Sequence, residues 1–93
     1  MIIGSCSIEL HLPESLSLKD KRQIIKSVKE RIRNKFNVSV AEVDGNDLWQ
    51  RAVLGVGIVA NDQKFANQVL TQVVEQVKRE RRVVLLDYHL EIY

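Results

Sequence analysis

Hydrophobic residues in this chain recur with a period of two, then 3.6, then two in two successive segments, then 3.6, then two. That order of periods restricts the fold more than any other feature of the sequence. In residues 2–12, IIGSCSIELHL, the side chains of Ile2, Cys6, Ile8, Leu10 and Leu12 share one face with Gly4, while Ser5, Ser7, Glu9 and His11 share the other. This is the pattern of a strand with one buried face. Pro13, the only proline, ends it, and Ser17 followed three residues later by Asp20 predicts a helix N-cap with a capping-box-like partner. At 100° per residue, Leu18, Ile24, Ile25, Val28, Ile32 and Phe36 gather on one arc of the helix that follows. Lys21 falls inside that arc, in the first turn, where its stem can pack and its amine can reach out to water.

Residues 38–43 (VSVAEV) predict a second strand, and DGND a turn in which Gly45 is free to take positive φ. Residues 49–60 predict a third strand, and Asn61 the cap of a second helix over 62–80 whose Phe65, Ala66, Val69, Leu70, Val73, Val74 and Val77 recur at helical spacing. Residues 83–92 predict a fourth strand, with Val84, Leu86, Tyr88, Leu90 and Ile92 alternating with Leu85, Asp87, His89 and Glu91. Ninety-three residues make one domain with a single two-layer core. The order β-α-β-β-α-β, with right-handed crossovers, predicts an α+β, ferredoxin-like sandwich: a four-stranded antiparallel sheet in the order 4-1-3-2 with both helices on one face. In that arrangement the start of the first helix, Lys19 to Arg22, is expected to lie beside the end of the second, Lys78 to Arg82.

Composition narrows the class. Hydrophobic residues at 45% and charged residues at 28% exclude a disordered chain. No apolar run approaches the ~18 to 20 residues of a membrane span, so no membrane association is expected. The opening MIIG has no basic stretch before it and reads as the start of a strand rather than a signal peptide. One cysteine, Cys6, cannot form an internal disulfide, which points to a reducing, cytoplasmic setting.

Charge is unevenly spread. SLKDKRQIIKSVKERIRNKF (17–36) carries eight Lys or Arg residues against two acids, residues 37–77 are acidic, and KRERR (78–82) is basic again. Lys19, Lys21 and Arg22 stand at the positive pole of a helix dipole, where cations are disfavoured and an anion is favoured. Lys26, Lys29 and Arg33 continue the first helix as a stripe. Together with Lys78, Arg79, Arg81 and Arg82 these residues form a candidate anion or nucleic-acid surface, with RNA or the ribosome as the expected partner; solvation alone is the other reading. The outward face of the sheet lacks the aromatic pair of an RNA-recognition platform. Its Val53, Gly55, Gly57, Val59 and Leu85 form a candidate homodimer interface, the glycines allowing close approach.

Other chemistry is sparse. His11 and His89 share the outward face but lie too far apart for one metal ion. Asp44 and Asp47 read as turn residues, and Trp49 as either packing at the sandwich rim or anchoring a partner. There is no P-loop, nucleophile elbow, Cys/His spacing or dinucleotide fingerprint. The chain is therefore expected to be a binding protein without cofactor or metal, not an enzyme.

The segments SLKDKR (17–22), FNVSVAEVD (36–44) and DLWQRA (47–52) resemble the YlxP-like family of bacterial proteins, a domain-of-unknown-function group, and the resemblance runs over essentially the whole chain. It implies a ferredoxin-like sandwich and brings no enzyme activity, cofactor or catalytic residue. Members of that family are often encoded beside translation and ribosome-maturation factors, which implies an RNA- or ribosome-linked role by association.

Overall fold

The computed structural model describes all 93 residues. Six elements follow in the expected order: β1 (Ile2–His11), α1 (Leu18–Lys35), β2 (Ser39–Asp44), β3 (Arg51–Ala60), α2 (Gln63–Lys78) and β4 (Val84–Ile92). The strands form one sheet in the order β2-β3-β1-β4, every neighbouring pair antiparallel. Read from the other edge, this is the predicted 4-1-3-2. Both helices lie on one face, and the core between the layers comprises 19 buried side chains. These include Ile8, Leu10, Leu54 and Val56 from the central strands, Ile25, Val28 and Ile32 from α1, and Leu70, Val73, Val74 and Val77 from α2.

The helix termini show local chemistry at work. Ser17 Oγ accepts the Asp20 amide at 3.0 Å, and Asp20 Oδ2 accepts the Leu16 amide at 2.9 Å, a box displaced by one residue from the usual form. The cap of α2 is Asp62 rather than the expected Asn61: its Oδ2 accepts the Phe65 amide at 3.1 Å. Phe65 itself is exposed and does not join the buried face formed by Ala66, Leu70, Val73, Val74 and Val77.

Both edge strands carry an extra residue. On β4, Glu9 of β1 faces Asp87 and Leu10 faces Leu85, so Leu86 is bulged. On β2, Glu42 faces Leu54 and Asp44 faces Val53, so Val43 is bulged. A one-residue bulge inverts the alternation beyond it. Leu85 therefore packs against the core, and Val84 pairs with His11 on the open face. This corrects the expectation that Leu85 contributes to an outward interface.

Cys6 lies in the core, and burial pushes its thiol up to about 11. At neutral pH it stays protonated and unreactive, a small apolar filler.

Candidate functional site

Lys21 departs furthest from its expected role. Its side chain is 1% exposed, and its ammonium is held in the gap between α1 and the β2–β3 hairpin. Nζ donates to the carbonyls of Gly45 at 2.5 Å and Leu48 at 2.8 Å, and faces Glu42 Oε2 at 2.6 Å. Three donors thus meet three oxygens, which is what a buried ammonium requires. Glu42 takes part because it shares the inward phase of β2 with Val40. Gly45 presents its carbonyl from a left-handed conformation, φ 75°, which glycine adopts without steric cost. Lys21 is a clamp and not an anion-binding side chain: no proton of its amine is left for a ligand.

The other cations of α1 behave differently. Lys19, Arg22, Lys26, Lys29 and Arg33 fall within an 80° sector at 100° per residue and run along the helix for about 21 Å. None of the five enters an ion pair; among the 14 Lys and Arg residues, only Lys21, Arg31, Arg51 and Lys78 do so. Lys19, Arg22 and Lys26 are exposed or half-buried, as is Lys29. Arg33 donates from Nη2 to the Val40 carbonyl at 2.8 Å, which ties one arm of its guanidinium to the edge strand β2.

The KRERR run gathers around Glu14 and Arg31. Arg79, Glu80, Arg81 and Arg82 line a groove of about 390 Å³ with Glu14 and Arg31. Arg31 Nη1 binds Glu80 Oε2 at 2.5 Å. The run therefore lies beside the loop that enters α1 and beside a side chain from the C-terminal half of that helix, while Lys21 is turned toward the hairpin. Lys78 is engaged elsewhere, 3.2 Å from Glu75 Oε1 and 5.9 Å from the centre of the Tyr88 ring. These cations stand at the C-terminal pole of α2, where the helix dipole favours them without any ligand. The sequence reading does not include Arg31; its place on the α1 arc facing α2 is the signal that could have found it.

The open face of the sheet forms a trough of about 400 Å³ crossing all four strands, with Ser5, Ser7, Gly55 and Gly57 in its floor. A Cβ on Gly55 would lie 2.8 Å from Val43 Cγ1, so the close approach at that glycine is made by this chain's own bulged valine. Gly57 has open space above it. Val59, 67% exposed, stands opposite the exposed Ile3, and Val53 is half-buried. At the β4 wall of the trough, His89 Nε2 lies 2.9 Å from Glu91 Oε1 and the Tyr93 hydroxyl donates to the other carboxylate oxygen. The Tyr93 hydroxyl and then His89 hold the Glu91 carboxyl below the usual range, and the carboxylate in turn raises Tyr93.

Together these features define a small ferredoxin-like α/β domain with a basic helical side, a hairpin clamped by a buried ion pair and a shallow, small-residue sheet face. The chain belongs to the family described as Protein of unknown function (DUF503), whose model matches residues 3–90. It is similar to the "Uncharacterized protein YlxP" of Bacillus subtilis (strain 168), with 34% identity over 73 residues that cover 78% of this chain and 79% of that one. Its fold is similar to the solution NMR structure of a de novo designed protein with ferredoxin fold, at a TM-score of 0.62 and 12% identity, covering 98% of this chain and 86% of that one. No helix is long and apolar enough to cross a membrane.

Proposed function

We propose that the domain binds RNA through the basic stripe of α1, with Lys19, Arg22, Lys26, Lys29 and Arg33 contacting phosphates. The observation that carries this reading is the run of cations along one helical sector without carboxylate partners. Elsewhere in the chain Arg31, Arg51 and Lys78 are paired with acids, whereas the exposed Lys35, Lys64, Arg79, Arg81 and Arg82 are not. The alignment of five cations along one sector, rather than the lack of partners alone, therefore marks the stripe. A row of point charges with no aromatic companion recognises backbone and shape rather than base sequence.

Binding to a structured RNA is expected to weaken steeply with salt, because each neutralised phosphate releases counterions. Lys26→Gln with Lys29→Gln should lower the log–log salt slope by about two, roughly one for each phosphate that no longer has its lysine. Binding that ignores salt, or a slope unchanged in the double variant, would exclude the stripe. Lys21 is not part of this surface, so its substitution should act through stability alone.

Self-association through the open sheet face is the second reading. Its support is the exposed pair Ile3 and Val59 and the open space over Gly57. Leu85 belongs to the core and Val43 covers Gly55, so the apolar surface left for a second copy is small. A strict monomer by light scattering at high protein concentration would remove this reading.

A further inference from the structure

The tip of the β2–β3 hairpin exposes apolar side chains on a backbone tied by several hydrogen bonds. Leu48 is 51% exposed, Trp49 56%, and Leu16, on the loop entering α1, 73%. Lys21 fixes the Gly45 and Leu48 carbonyls, and the Leu48 amide donates to the Gly45 carbonyl at 3.0 Å. Gln50 Nε2 donates to the carbonyls of Pro13 at 3.3 Å and Ser15 at 3.1 Å, and the Leu12 amide donates to the Gln50 carbonyl at 2.8 Å. Loop and hairpin are thereby bound into one unit. Exposed Trp and Leu on a pre-ordered backbone are the composition and the rigidity of an interface anchor, since little entropy remains to be lost on binding.

The charge at this tip selects the occupant. Around the tip, Glu14, Asp20, Asp44 and Asp47 stand against Lys19 and Arg22, the nearby Lys21 and Arg51 being paired with Glu42 and Glu9. Asp47 takes part in none of the five ion pairs. With Leu48, Trp49 and Gln50 it lines a dent of about 420 Å³. A phosphate chain would be repelled by these carboxylates. A guanidinium would find an indole face and a carboxylate together, a cation–π contact and a charge-assisted hydrogen bond.

We infer that the hairpin tip is a docking site for a basic segment of a partner protein, in which an arginine lies on Trp49 and pairs with Asp47 while an adjacent apolar residue meets Leu48. This site is separate from the α1 stripe and does not rest on RNA binding.

Trp49 is the only tryptophan, so its emission reports on the tip alone. The full chain is titrated with a capped Arg-Leu-Arg peptide, a capped Gln-Leu-Gln peptide and an oligouridylate. A saturable, salt-sensitive change in emission with the arginine peptide is expected, weakened up to about fivefold by Asp47→Asn, the range of an exposed ion pair. Lys26→Gln with Lys29→Gln should leave that titration unchanged, which separates this site from the stripe. Emission unmoved by the arginine peptide, or moved equally by the glutamine peptide, would overturn the inference. So would a response to the oligouridylate alone, which would make Trp49 a base-stacking platform.

Discussion

Lys21→Ala is expected to lower folding stability by about 3 kcal/mol, near the lower end for breaking a buried ion pair because Glu42 retains some contact with water. The side chain of Lys21 is 1% exposed and that of Glu42 19%. Removing the amine leaves the Leu48 carbonyl and one carboxylate oxygen without their donor and the Gly45 carbonyl with only the Leu48 amide. Unsatisfied buried acceptors account for most of the loss, and the aliphatic stem for the rest. For a domain of this size the melting temperature should fall by roughly 12 to 24 °C. Lys21→Met keeps the stem and isolates the polar part. Adding Glu42→Gln to Lys21→Met should restore some stability, because the orphaned charge is then gone. Lys19→Ala, two residues earlier and outside the clamp, should change stability by no more than about 0.5 kcal/mol. A cost below about 1 kcal/mol for Lys21→Ala would show that water replaces the ammonium and that the clamp is unimportant.

The second large effect concerns the seam between α2 and β1. Leu70 is fully buried, and its Cδ1 lies 3.0 Å from where a Cβ on Gly4 would stand. The ends of Ile58 and Ile92 lie at the same distance. Leu70→Ala should cost about 3 kcal/mol through lost burial and the cavity left behind. Gly4→Ala alone should cost about 1 kcal/mol by crowding three side-chain ends that are close-packed already. In the double variant the new methyl enters space vacated by Leu70, so the combined loss should fall short of the sum by about 1 kcal/mol. Chemical denaturation of the four proteins measures this coupling. Strict additivity would mean that helix and strand do not meet at Gly4.

Element order, sheet order and core are legible in the sequence because they depend on which residues are apolar and at what period. What alternation cannot register is an added residue. VVLLDYHLEI reads as one continuous alternation, yet the bulge at Leu86 inverts its first part, sending Leu85 inward and Val84 outward. Nothing in the identity of those leucines and valines marks the break. Lys21 escapes a sequence reading for a different reason. Its position inside the apolar arc of α1 is visible, but an amine there can either reach water or find buried oxygens. The choice depends on Glu42 and the hairpin carbonyls, contributed by residues more than 20 positions away. For the KRERR run, topology locates the end of α2, but the pairing of Glu80 with Arg31 depends on side-chain geometry that the sequence pattern does not carry.

The two bulges also bear on the open edges of the sheet. An open four-stranded sheet ends in two rows of unsatisfied amides and carbonyls, and each row is a template on which a further chain could add. Here both outer strands are interrupted, β2 at Val43 and β4 at Leu86, and on β2 the Arg33 guanidinium occupies the Val40 carbonyl. A strand arriving from another molecule would find its register broken after a few residues on either side. The irregularities that obscure the pattern are thus of the kind by which edge strands discourage addition of a further strand.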